Sequence, residues 1–167
     1  MTWLLITGIT LAMLLALRFS RFEIRHEILI PAPVGQVWHT VIDFPSYSEW
    51  NSQLTYLGGE VKKGGLLHLR LAAAGADPYE FKPVVSYFEE NTRFAWLAVT
   101  GVAGVFDGEH FFELSPAPGG GTRLVNREEY RGILSQVMRH LPMMKQAPAG
   151  FVKMNEEIAA RSLSLPR

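Results

Sequence analysis

Hydrophobic and polar positions change their pattern several times along this chain, and each change predicts an element. Residues 3–17, WLLITGITLAMLLAL, are free of charge and apolar around the whole circumference of a helix, the pattern of a segment that seeks lipid. From Phe22 the pattern alternates: Ile24, His26, Ile28 and Ile30 share one side of FEIRHEILI, and Glu23, Arg25 and Glu27 the other. That alternation predicts a half-buried strand. After Pro31 the period lengthens, and Val34, Val37, Trp38, Val41 and Ile42 recur at helical spacing with Pro33 placed for a first turn, so one apolar face of a helix lies on a sheet. The next stretch, FPSYSEWN, is rich in aromatic rings, and Pro45 bars a straight continuation. A kinked second short helix is expected.

From Asn51 onward, strand patterns alternate with turn chemistry. SQLTYL, LLHLRLA, EFKPVVSYFE and RFAWLAV are separated by glycine-rich or polar breaks, and VFDGEHFFELS and TRLVNREEYRGIL face each other across PAPGGG. The last segment, QAPAGFVKMNEEIAARSL, reads as a helix with an uneven stripe of Phe151, Met154, Ile158 and Leu163. Consecutive strands with helices at either end predict an α+β domain: a curved antiparallel sheet of about six to seven strands wrapped around a long C-terminal helix. Such a sheet cannot close on a helix faced with Phe, Met, Gly and Ala without leaving a hollow.

Composition narrows this picture. At 167 residues, 48% of them hydrophobic, the chain holds one ordinary domain with a real core. Residues 1–21 are expected to form an N-terminal membrane anchor, one transmembrane helix, and residues 22–167 the folded domain. A signal peptide is the rival reading of residues 3–17, but no Lys or Arg precedes the run. Arg18, Arg21 and Arg25 follow it, which places the domain on the cytoplasmic side of the membrane. Acidic and basic residues balance at 16 each, a distribution that gives no reason to expect nucleic acid. The chain has no cysteine, so thiolate metal sites and cysteine nucleophiles are excluded.

Strand parity locates the candidate chemistry. On VFDGEHFFEL the apolar side carries Phe106, Gly108, His110, Phe112 and Leu114, so His110 is expected to point inward. On the returning strand Leu124, Asn126, Glu128 and Tyr130 share a face, and a hairpin centred on Gly119 brings Asn126 and Glu128 close to His110. An imidazole beside a carboxylate in an apolar pocket is either a general acid/base pair or part of a buried set that satisfies itself by hydrogen bonding. The histidines are scattered, HExxH and GxSxG are absent, and PAPGGG lacks the lysine of a phosphate loop. No metal and no cofactor are predicted. MRHLPMMK, with Met138, Met143 and Met144, is either an adaptable lid or apolar filler.

ILIPAPVGQVW, DFPSYSEWN, FDGEHFFELSP with GGGTRLVNREEYRGIL, and AGFVKMNEEIAAR occur in an order and at a spacing that resemble the START/Bet v 1-like helix-grip superfamily, SRPBCC, and within it the polyketide cyclase/dehydrase-like bacterial proteins. The resemblance covers Glu23 to about Leu163 and implies an internal cavity for a hydrophobic small molecule. It also implies that Phe44, Tyr47 and Trp50 plug or rim that cavity, against the alternative that they are plain core. With them, Trp96, Phe106, His110, Phe112, Asn126, Glu128, Tyr130, Phe151 and Met154 are the expected lining. Two functions remain open. One is a membrane-anchored binding or transfer module for a lipid-like or polycyclic ligand; the other is a cyclase, dehydratase or isomerase acting on a polyketide-like or aromatic substrate through His110 and Glu128. The superfamily hosts many chemistries, and a protein partner is not indicated.

Overall fold

A computed structural model of the chain describes residues 20–74 and 76–165. The expected anchor over residues 3–17 lies outside them. Among the described residues no helix is long and apolar enough to cross a membrane.

The alternating segments form eight strands: β1 (Arg21–Ile30), β2 (Leu54–Gly59), β3 (Leu67–Leu71), β4 (Tyr79–Phe81), β5 (Val84–Glu89), β6 (Arg93–Val99), β7 (Asp107–Ala117) and β8 (Gly121–Arg131). The helices are α1 (Val34–Ile42), α2 (Tyr47–Trp50) behind a 3-10 turn at Phe44–Ser46, α3 (Ser135–Met138) and α4 (Pro142–Ser164). Eight strands replace the six or seven expected because EFKPVVSYFE breaks at Lys82-Pro83. Proline has no N–H to donate to a ladder, and the chain uses the break to pass from one sheet to the other.

The strands order as β1-β8-β7-β6-β5 in one sheet and β2-β3-β4 in a second. A Leu66–Val84 bridge joins them, with Leu67 N–H donating to Pro83 O at 2.9 Å and Val85 N–H to Gly65 O at 2.9 Å. Register shifts at Tyr56/Gly58 and Val85/Tyr87 bend the wall where two residues oppose one. The result is the α+β, helix-grip arrangement: a curved antiparallel wall around one long helix.

Helix α4 begins at Pro142, four residues before the predicted start at Gln146, and runs through Pro148. Its inward stripe is Met144, Phe151, Met154, Asn155, Ile158 and Ser162. Leu163, expected inside, is 53% exposed. Ser162 holds the inward position instead, donating to Thr40 Oγ1 at 3.0 Å, while Gln36 of α1 donates to the carbonyls of Ser162 and Leu165 at 2.6 and 3.0 Å. These bonds fasten the C-terminal half of α4 to α1. The N-terminal half is held more sparsely, Gln53 donating to Gly150 O at 2.9 Å, and the cavity lies beneath it.

Candidate ligand-binding cavity

The pleat that orients His110 orients a whole wall. Trp96 and Ala98 on β6, Phe106, Gly108 and His110 at and along β7, and Glu128 and Tyr130 on β8 all present one side of the sheet to a cavity of about 440 Å³. Phe106 sits just before β7 begins. The opposite side is α4 with Met143, Met144, Ala147, Phe151 and Met154, and the front is Leu71, Tyr79 and Phe81 from the smaller sheet. This volume falls in the roughly 300–1,000 Å³ range of small-molecule sites.

Polar groups gather on β7 and β8. The strands pair antiparallel with His110 opposite Glu128, and His110 Nδ1 stands 3.6 Å from Glu128 Oε2, just beyond hydrogen-bond reach. Glu128 Oε2 is instead held by the Tyr130 hydroxyl, which donates at 2.7 Å. The His110 ring is clamped between Trp96, centroids 4.5 Å apart, and Phe151, at 5.1 Å, and its buried Nε2 has no hydrogen-bond partner among the described residues. Gly108 makes this packing feasible: a Cβ there would lie 2.7 Å from Glu128 Oε1 and 3.3 Å from the Tyr130 ring. Burial, then the adjacent Glu128 carboxylate, pushes the Tyr130 hydroxyl well above the usual tyrosine range. The Tyr79 hydroxyl shifts the same way for the same causes. Both phenols stay protonated and able to donate.

Seven expected lining residues stand on the cavity wall: Trp96, Phe106, His110, Glu128, Tyr130, Phe151 and Met154. The other five lie elsewhere. Phe44 and Tyr47 are fully buried in the main core, their rings stacked at 4.7 Å, with the Tyr47 hydroxyl donating to Val41 O at 2.6 Å. Trp50 packs on Tyr47 and donates to Ser46 Oγ at 3.1 Å. Phe112 is one pleat repeat beyond His110 and fully buried in the same core. Asn126 pairs with Phe112 in register and donates to Asn155 Oδ1 of α4 at 2.9 Å; Asn155 Nδ2 in turn lies 2.9 Å from His26 Nδ1. The set expected to join His110, Asn126 and Glu128 is therefore split in two. Asn126 ties sheet to helix, and Glu128 faces the hollow.

Other histidines sit apart from the cavity: His39 and His140 are exposed, and His68 meets Glu80 at 2.8 Å. Among the described residues no group of three or more His, Asp or Glu is arranged to hold a metal ion. Met138, Met143 and Met144, open between lid and filler from the sequence, all border the cavity. Their clustering in MRHLPMMK was the available signal, because a flexible thioether suits an adaptable wall. Tyr79 was missed; nothing local separates it from an ordinary strand residue.

The polyketide cyclase / dehydrase and lipid transport family matches residues 21–161. The chain belongs to that family. No curated protein matches it in sequence. Among solved structures it resembles a Thermus thermophilus protein at 21% identity and TM-score 0.66, covering 86% of this chain and 98% of that one. A Chromobacterium violaceum protein compares at 19% identity and TM-score 0.66, covering 87% and 98%. Norcoclaurine synthase from Thalictrum flavum, in complex with dopamine and hydroxybenzaldehyde, compares at 14% identity and TM-score 0.66, covering 89% and 90%. At these identities the likenesses establish the Bet v 1-like fold and nothing finer.

Proposed function

We propose that the protein is a binding or transfer module for a hydrophobic small molecule, lipid-like or polycyclic, whose body fills the cavity and whose one polar end meets Glu128 and the hydroxyls of Tyr130 and Tyr79. The observation that carries this reading is the cavity itself, about 440 Å³ walled by aromatic and methionine side chains, with its wall carboxylate engaged by a tyrosine rather than by Lys or Arg. A ligand group able to donate a hydrogen bond finds a ready acceptor there, and the apolar walls reward burial at about 25 cal/mol per Å². Residues 3–17 serve in this reading as an uncleaved anchor that holds the domain at the cytoplasmic face of the membrane. Their uncharged run and the arginines after it support this.

One observation favours the second reading, a cyclase, dehydratase or isomerase. His110 faces a carboxylate at 3.6 Å and keeps one ring nitrogen unpartnered among the described residues, and catalytic contacts in unliganded sites often tighten only around substrate. Against it, the imidazole is held between two rings and its carboxylate is already engaged by Tyr130. His110→Asn separates the readings. A carrier keeps ligand affinity within roughly tenfold, the scale of one neutral hydrogen bond; an acid/base enzyme loses about a hundredfold or more of turnover with binding intact. Glu128→Gln tracks His110→Asn in the enzyme and weakens binding in the carrier. Collapse of turnover in both variants at unchanged affinity contradicts the carrier reading.

A further inference from the structure

From its surface chemistry, we infer that the end of the domain formed by the β6–β7 loop and the β8–α4 connection is a docking face for an anionic phospholipid bilayer, through which the cavity exchanges its ligand. This inference rests on the carrier reading for its purpose but on separate residues for its evidence.

Several segments converge at that end. Ile133 N–H donates to Gly104 O at 3.1 Å and Leu134 N–H to Val105 O at 3.0 Å, which fixes the two loops side by side. Gly132 N–H donates to Ser20 O at 3.3 Å, and the Ser20 and Ser135 hydroxyls lie 2.7 Å apart. The chain that follows the apolar run of residues 3–17 is thus pinned at the same place. The apolar side chains carried there point to water: Val102 is 71% and Val137 65% exposed. Val99, at the end of β6, and Met138 of α3 border the cavity, so the apolar surface continues inward as cavity wall. A water-facing protein surface gains nothing from this arrangement, and apolar patches of this kind mark interaction sites.

Charge decides the occupant. The ionic side chains of the rim are Arg21, Arg139 and Lys145, with His140 beside them, and the chain carries no Asp or Glu between Glu129 and Glu156 or between residues 99 and 106. Asp107, which follows the β6–β7 loop, accepts from Gly104 N–H at 2.8 Å, and Arg131 is answered by Glu109. An apolar patch whose two segments carry cations and no acid matches a negative lipid surface. The uncharged residues 3–17 could cover the apolar patch but would leave the cations unanswered, and a second copy of the same face would set cation against cation.

The absence of cysteine makes the test direct. Val102→Cys, Val137→Cys and Glu90→Cys are introduced singly into the full chain, the last at the opposite end of the sheet, where Leu114 N–H meets Thr92 O. Each carries an environment-sensitive fluorophore, and the chain is reconstituted into vesicles of phosphatidylcholine with or without phosphatidylglycerol, nitroxide lipids serving as quenchers. The expected result is blue-shifted, quenched emission at positions 102 and 137 and not at 90, dependent on phosphatidylglycerol. Arg139→Gln with Lys145→Gln should lower the docking equilibrium constant by about fivefold per charge removed. Water-like emission at both rim positions in both vesicle types overturns the docking face, as does a rim already covered without vesicles. Native mass spectra of the same protein keep the two proposals distinguishable. Retained ligand with undocked labels defeats the docking face alone; docked labels with no ligand leave the face standing and defeat the carrier reading.

Discussion

The two ends of the space between sheet and α4 are built from the same elements and finished differently. At one end α1 and α2 drive Trp38, Phe44 and Tyr47 against Phe94, Phe112 and Ile158, all fully or almost fully buried, and a chain of polar bonds from Gln36 to Ser162 and Leu165 clamps the helix down. At the other end Phe106, Tyr130, Met144 and Phe151 form a second cluster with no layer between sheet and helix, and the space stays open. Aromatic content does not distinguish the two. What differs is whether a third element supplies the volume, because a curved sheet and one helix cannot fill their own gap to the density of a protein interior. The aromatic-rich FPSYSEWN segment is the filler that closes one end; the other end keeps its cavity.

Substitutions on either side should break this contrast in opposite ways. Phe44→Ala, in the closed end, should cost about 3–5 kcal/mol in denaturant unfolding while leaving the ligand affinity of the folded protein unchanged. Phe151→Ala, in the open end, should cost less than half as much, because it enlarges an existing hollow, and should weaken ligand binding by tenfold or more. Equal stability losses at the two sites would deny that the ends differ. Gly108→Ala sharpens the open end: its Cβ would sit 2.7 Å from Glu128 Oε1, so the carboxylate must shift. We expect a loss of about 1–3 kcal/mol from overpacking and a disproportionate loss for ligands bearing a polar end, measured against a purely apolar analogue.

The smallest effect concerns the outer side of the sheet, where polar groups are paired. Arg127 bonds Glu113 at 3.0 Å and lies over the Phe111 ring at 3.9 Å. Its hydrogen bond holds the Glu113 carboxyl below its ordinary value of 4.5. A carboxyl lowered on folding adds stability above its unfolded value, and that contribution is lost as pH falls through the folded one. Arg127→Met should therefore flatten the loss of stability below about pH 4.5, by on the order of 1 kcal/mol or less for a partly exposed pair. An unchanged acid limb in thermal melts would contradict it.

Much of the fold was legible because its signals are local. Alternation over β7 and β8, with the turn centred on Gly119, brought Asn126 and Glu128 close to His110, and the strand pairing sets Glu128 opposite it. The break at Pro83 was legible too, had the proline been weighed against the strand pattern around it. Contacts across layers were not. Asn126 turns to Asn155, a partner on a helix whose docking height over the sheet no local pattern reveals. Phe44 and Phe112 satisfy the same parity or aromatic criteria as true lining residues, yet the volume supplied by α1 and α2 converts them to core. The α4 stripe was misread at its end because Ser162 occupies the inward position, and a hydroxyl there is explained only by Thr40 on another helix.

Native mass spectrometry of the full chain, gently purified from the cells that make it, tests the central claim most directly, with Ala147→Trp and Phe112→Ala beside the wild type. Ala147 borders the cavity and Phe112 belongs to the closed core. The account predicts a small apolar ligand retained by the wild type and by the folded fraction of Phe112→Ala, and absent when the tryptophan fills the hollow. A wild type that carries nothing and takes up no lipid, sterol or polycyclic probe, or a ligand that survives Ala147→Trp and is lost with Phe112→Ala, would contradict it.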